Sequence, residues 1–486
     1  MNSPEGAAAS QTGNLSERTS ATSATRKLAN HASTLPFEAL PQDVLEMTKC
    51  CVLDTLGVSI GASALIPEGQ ILADYVQELG GKAESTILGF GSKAPAPWAV
   101  FANGSVGHML DFDDVARGGH PSIATIPVAF ALGEKQEGIS GRDFLTAIAV
   151  GMDVMIRLEN AITIPQWIMT EGWFPTQLFG FFAATATAGR VLGLDALQME
   201  NAFGAAFTQV SGSRQMAVDE ATDLRSMQAG FSGQGGILAA ELARRGVVGS
   251  KEVIEGRYGL YKTYVRDDTP NWDNLVGDLG TRFPLLESHG FKVWPCCSHT
   301  RPCTAAVLQL RAEGIQPEEV ETITVIGGSK AIQLLSEPIE AKRCPQVSID
   351  AKYSVPFTCA IAMVTGNVTL RDYVEEGLQN PEVLAMAARV SHRPIPDAQN
   401  KSLFPVIEIQ TKDGNVHKRQ VNSVPGDVNE PVGWEEIVEK FRGCVSFANP
   451  KMSEANIDAA LDLVGNLEQV EDATEIIRLL SHTKDT

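Results

Sequence analysis

The sequence predicts a mainly α-helical protein: a large helical domain built from two separated parts of the chain, with a smaller α+β domain inserted between them. Three observations carry this. Apolar residues recur at spacings of three and four, as in Val44–Leu45–Val52–Leu53–Leu56 and in Phe144, Ile148 and Met152. Stretches of small residues with almost no charge, 180–189 and 202–212, suit helices buried on all sides. Runs of β-branched residues begin only after Pro284.

Taken in order, residues 1–24 are mostly Ser, Thr, Ala and Gly, with no apolar stretch, and predict a disordered tail. They lack the apolar segment of a secretory signal and the basic bias of a mitochondrial presequence. Residues 25–286 form the first part of the helical domain. Within it Leu192–Gly193–Leu194 ends one helix and Asp195 caps the next. The Gly-rich run 230–236 lacks the Gly-Lys-Ser/Thr of a phosphate loop and predicts close helix packing. Residues 287–425 form the α+β domain. Ile323–Thr324–Val325–Ile326 and Pro405 to Gln410 are its strands, the second leading into the turn Asp413–Gly414, with a helix over 354–364 between them. Residues 426–486 return to amphipathic helix at Trp434–Glu435–Glu436–Ile437 and again from Ile457 to Leu467. A chain of 486 residues has room for about two to four domains.

Charge narrows the partners. With 39 basic and 59 acidic residues the net charge is −20, which repels a nucleic-acid backbone and an anionic membrane surface. No apolar run approaches the roughly 20 residues that span a bilayer. Eight cysteines, two pairs of them adjacent (Cys50–Cys51 and Cys296–Cys297), read as reduced thiols. A soluble, cytoplasmic protein that binds neither nucleic acid nor membrane is expected.

The densest polar constellation runs from Asn103 to Asp114 and continues through Arg117–Gly118–Gly119–His120–Pro121–Ser122. Three carboxylates, Asp111, Asp113 and Asp114, cannot all be buried and ionised without partners. Asp111 sits between apolar Leu110 and Phe112, so its burial calls for a cation or a hydrogen-bond donor. The two glycines before His120 allow a tight turn that returns the imidazole towards Asp111. An Asp–His pair of this kind serves proton transfer near neutral pH. Two other interpretations stand beside it: a solvated helix end, and a metal site using His108, Asp111, Asp113 and His120. The second matches no defined ligand spacing.

A second constellation, Gly290 to Cys303, combines Lys292, Cys296, Cys297, His299, Arg301 and Cys303 at the entrance to the α+β domain. No Cys-x-x-Cys spacing supports an iron–sulfur cluster. Lys292 and Arg301 suit substrate carboxylates, and Cys297 and His299 could line the same pocket. A solvated cationic loop is the plainer alternative.

Together these segments resemble the MmgE/PrpD family, whose members include 2-methylcitrate dehydratase, cis-aconitate decarboxylase and iminodisuccinate epimerase. The likeness rests on Asn103–Gly104–Ser105–Val106–Gly107–His108–Met109–Leu110–Asp111–Phe112–Asp113–Asp114 and on Gly119 to Ser122. It continues in Phe291 to Cys297, Asp350 to Ser354, Pro425–Gly426, Asn429 to Pro431 and Phe441–Arg442, spanning about Arg26 to Leu480. The resemblance implies a helical domain with an inserted α+β lid, a homodimer, and action on a small di- or tricarboxylate without metal or organic cofactor. It implies Asp111, His120 and Lys292 as catalytic residues. His120 would move the proton, with Asp111 orienting it, while Lys292 and Arg225 hold and polarise carboxylates. Cys297, His299 and Arg301 complete the expected substrate contacts.

Two segments depart from the family pattern. Phe174 stands where the family often has histidine, and Leu224 to Gly230 places Arg225 and Gln228 where the family has lysine and histidine. Both changes remove proton carriers and keep one cation. The expected function is a cofactor-independent lyase that dehydrates or decarboxylates next to a carboxylate. An isomerase or epimerase of a small polycarboxylate, and a non-catalytic carboxylate-binding relative, are the alternatives.

Overall fold

The computed structural model describes residues 23–164, 167, 171–218, 222–396 and 404–481. The expected tail lies outside the described residues except at its end. There Ser23 caps the helix Ala24–Thr34 through the Arg26 amide, and Ala24 is buried. Ser23 and Ala24 thus belong to the helical body. A carboxylate from a distant loop anchors the spot: Glu255 accepts from the Thr25 hydroxyl at 2.6 Å.

The helical body is built around Gln42–Leu65, Gly141–Asn160, Pro175–Val191 and Gln228–Arg244. Gln42–Leu65 is long and apolar enough to span a bilayer, a feature the absence of an unbroken apolar run concealed. It is a core helix here, 83% buried in its most apolar window. The C-terminal helix Trp434–Val445 covers it so closely that a Cβ on Gly57 would lie 3.1 Å from the Phe441 backbone. In this way the end of the chain closes the core begun near its start.

The glycine-rich run belongs to Gln228–Arg244, where the glycines set the helix separation. A Cβ at Gly230 would meet the Phe101 carbonyl oxygen at 2.4 Å, and one at Gly236 would meet the Ala184 Cβ at 2.5 Å. Those contacts admit no side chain at either position. The small-residue helix Pro175–Val191 is buried from Pro175 to Gly189 within a single chain. Its small residues thus serve internal packing and offer no subunit surface. After its end at Leu192, Gly193 takes a positive φ of 69°, and Asp195 and Gln198 form a reciprocal capping box on the next helix.

A second apolar core draws on residues from Trp294 to Val424. Its four-stranded sheet runs in the order Val390–Arg393, Val320–Ile326, Val406–Thr411 and Val416–Arg419. The first pair is parallel, with Ile323 opposite Val390, and the other pairings are antiparallel. Val320, Ile323 and Val325 are buried from the central strand. The helices Arg301–Ala312 and Val355–Thr365 supply the apolar layer against it. The fold is mainly α, with the sheet confined to this smaller core.

The two cores are joined beside the aspartate-rich loop. Val115–Ala116 pairs antiparallel with His289–Gly290 as a two-stranded sheet. Phe291 still packs with the helical body, whereas Trp294 packs with the second core. Lys292 lies at the crossing, next to the loop that carries the aspartates.

Candidate active site

The loop begins where the helix Ala96–Val106 ends. The chain turns through His108 to Leu110, and Asp111 takes a left-handed φ of 48°. Such a backbone is uncommon for a residue other than glycine, and it reverses the chain so that the following acids point inward. Asp113 and Asp114 are wholly buried, and His120 precedes the helix Pro121–Lys135.

Each acid has its own partner. Asp111 pairs with the Lys292 ammonium, which also donates to the Asp111 carbonyl oxygen at 3.1 Å. Asp113 lies 2.9 Å from His108 Nδ1 and 2.9 Å from His120 Nδ1. Asp114 accepts from the Ser122 hydroxyl at 2.6 Å, and His289 Nε2 lies 2.7 Å away. The carboxylate that orients His120 is therefore Asp113 and not the expected Asp111. The left-handed turn carries Asp111 away to Lys292.

The His120 tautomer follows from its neighbours. Its Nδ1 faces the Asp114 carbonyl oxygen at 2.6 Å as well as the Asp113 carboxylate. Both neighbours only accept, so Nδ1 carries a proton and Nε2 is the nitrogen left for chemistry. Burial alone would lower the imidazole's affinity for a second proton, but Asp113 outweighs it and raises the His120 pKa. Burial works against Asp113 too, yet the facing His108, His120 and Lys292 hold its carboxyl well below the usual range. Lys292 stays cationic by the same balance, with Asp111 and Asp113 overcoming its desolvation.

This cluster forms one wall of a cavity of about 920 Å³ reached from both cores. Asp111 and His120 line it from the helical side, with Phe174, Arg214 and Arg225. Cys297, His299, Arg301 and Tyr353 line it from the other. Lys292 is wholly buried and does not line the cavity; it supports Asp111 from behind. Arg301 pairs with Asp427 at 3.0 Å and donates to the Pro425 carbonyl, so it braces the chain's return to the helical body.

The cationic side of the cavity is built by Arg225 and Arg214. The Arg225 guanidinium stacks over the Tyr353 ring, 4.0 Å from its centre. Arg214 and Phe174 come from two short segments that pair backbone to backbone. Phe174 N–H donates to Gly212 at 2.8 Å and Arg214 N–H to Gly172 at 2.8 Å. Burial lowers the Arg214 pKa, as does the nearby Arg225. Burial and Arg214 together push His299 down to about 4, leaving it neutral. Burial and Asp111 push the Cys297 thiol up to about 11, so it is no thiolate nucleophile at neutral pH. Gln228, at the second departure, bonds the Arg225 carbonyl at 2.7 Å and stays beneath it.

Sequence reasoning missed three groups. Arg214 follows an uncharged stretch as its first cation, a signal that was legible. Tyr353 lies inside a matched motif but bore no assigned task. Lys440, from the C-terminal helix, pairs with Asp54 and donates to the carbonyl oxygens of Phe112 and Lys292. It ties the aspartate loop to the crossing strand, and nothing in its amphipathic surroundings marks it.

Among the described residues, two groups each bring three possible metal-ligand atoms within 4.8 Å of one another: His108, Asp113 and His120, and Cys51, Asp114 and His289. In the first, the Asp113 carboxylate already faces an imidazole nitrogen of each histidine at 2.9 Å.

Residues 26–273 match the MmgE/PrpD N-terminal domain and residues 294–465 the MmgE/PrpD C-terminal domain. The chain is 25% identical over 479 residues to the cis-aconitate decarboxylase of Mus musculus, covering 94% of this chain and 93% of that protein. It is 26% identical over 481 residues to the cis-aconitate decarboxylase of Aspergillus terreus, covering 94% and 96%. Against the 2-methylcitrate dehydratase of Salmonella typhimurium it is 22% identical over 465 residues, covering 89% and 92%.

Proposed function

The chain belongs to the MmgE/PrpD family, and we propose from that premise that it is a cofactor-independent lyase of a small di- or tricarboxylate. The observation that carries this is the buried Asp113–His120 pair on the wall of a cavity that Arg214 and Arg225 also line. Two arginines suit a substrate with more than one carboxylate. A histidine whose pKa is raised by its carboxylate suits delivery of a proton to carbon.

Decarboxylation uses these groups most directly. One carboxylate leaves as carbon dioxide, and the electron pair of the broken C–C bond stays on carbon, delocalised into a neighbouring carboxylate. Arg214 and Arg225 stabilise that charge in a site shielded from bulk water. His120 Nε2 donates its proton to the carbon, and water then restores it. Dehydration would run through the same groups with neutral His120 first removing a proton. The relatives named decarboxylases cover 94% of the chain at 24–26% identity, which favours decarboxylation.

The two cores act as helical body and lid, their closure excluding water from the cavity. A homodimer would use the exposed Ile71, Tyr75 and Phe231, with half-buried Trp98 and buried Phe101 packed between the last two. Phe231→Asp should then give monomers in light scattering. The function itself is tested by incubating the chelator-dialysed protein with a panel of unsaturated and hydroxylated di- and tricarboxylates. Release of carbon dioxide or water supports the lyase. An isomeric product would mark an epimerase, and binding without turnover a non-catalytic relative.

A further inference from the structure

Glu159 ends an apolar helical run in Gly141–Asn160 and lines the same cavity as His120. It is 5% exposed. One carboxyl oxygen accepts from the Gly118 amide at 3.3 Å. The other, Oε1, is buried without a hydrogen-bond partner. No ion pair to Glu159 occurs among the described residues.

The glycines before His120 explain how the carboxyl fits. A Cβ at Gly119 would lie 2.2 Å from Glu159 Oε1, so any side chain there would expel the carboxyl. The Gly118–Gly119 pair seats Glu159 against the turn that presents the imidazole. A buried carboxylate in no ion pair, with one oxygen unpartnered, is poorly solvated, and burial disfavours its charged form. A neutral carboxylic acid has an O–H to donate, and a donor in a cavity built for anions has an evident acceptor.

We propose that Glu159 is a substrate-binding residue that meets an oxygen of the bound carboxylate as an uncharged hydrogen-bond donor. This rests on the assignment of the cavity to a small polycarboxylate. The consequence is a limit on affinity: once Glu159 ionises, it repels the anion it had held. Burial raises its carboxyl to about 8, opposed by the Gly118 amide, Arg117 and His120. Tyr261 also faces it, and its phenol stays protonated well above that range. Lys352, lowered by burial to about 8, titrates in the same window but sits on the Met109 carbonyl, away from this turn.

The test is calorimetric binding of propane-1,2,3-tricarboxylate, a saturated and unreactive tricarboxylate, to the full-length protein between pH 7 and pH 9. The expected Kd rises about tenfold over that range in the wild type. In Glu159→Gln, which cannot ionise, the rise disappears. A rise that persists in Glu159→Gln overturns the proposal and leaves the polycarboxylate cavity standing. Absence of binding at pH 7 removes both. Should the variant not fold, the wild type decides alone. At pH 8.5, binding measured in buffers of different ionisation enthalpy should take up somewhat less than one proton, and no uptake overturns the proposal.

Discussion

The Asp113 carboxylate lies 2.9 Å from the His120 Nδ1, and neither group is open to bulk solvent. Asp113 both fixes the His120 tautomer and raises its pKa, so removing the charge should change the pH dependence before it changes the shape. For Asp113→Asn we expect turnover to fall by about 10²-fold or more, with the acidic form of His120 lost at lower pH. The sign of the stability effect also follows. The raised His120 stabilises the fold below its ordinary pKa, and that contribution is lost as pH rises through the raised value. The lowered Asp113 stabilises the fold above its ordinary pKa, and its contribution is lost as pH falls through the lowered value. Rate profiles and denaturation curves between pH 4 and pH 9 check both.

Lys292 and Asp111 form a buried pair, and breaking it leaves a charge without a partner. Lys292→Met should cost about 3–5 kcal/mol in urea denaturation. The double variant Lys292→Met with Asp111→Asn should recover much of that loss, because no buried charge then remains. If the single variant keeps wild-type stability and only weakens substrate binding, Lys292 meets the ligand directly and the geometry described here is wrong.

Lys440 predicts an effect at a distance. It touches no cavity residue's side chain, yet it holds the carbonyl oxygens of Phe112 and Lys292 together. Lys440→Met should destabilise the protein, because Asp54, already raised by burial to about 6, loses its cation. Adding Asp54→Asn should restore melting temperature but not turnover. Equal recovery of both would show that Lys440 has a merely structural role.

Much of this was legible in the sequence, for identifiable reasons. The strands Val320–Ile326 and Val406–Thr411 announced themselves by β-branching and by the turn at Asp413–Gly414. Asp195 was legible as a cap because capping depends only on local residues; its reciprocal partner Gln198 emerged from the structure. The burial of Asp111 demanded a cation, but spacing could not choose Lys292, 181 residues away. The exchange of Asp111 for Asp113 at His120 turns on one left-handed residue, which no periodicity reports. Lys440 depends on a helix closing the core from the far end of the chain. Long-range contacts of that kind leave no trace in composition.

We expect His120 to deliver a proton to carbon after a bond beside a carboxylate breaks. The most direct measurement follows cis-aconitate by nuclear magnetic resonance in deuterated water, with wild-type protein and with His120→Gln. The expected result is release of carbon dioxide with one deuterium on the product carbon, at a rate about 10²–10⁴-fold lower in His120→Gln. Near-normal turnover in a stably folded His120→Gln, with the same deuterium placement, would contradict it.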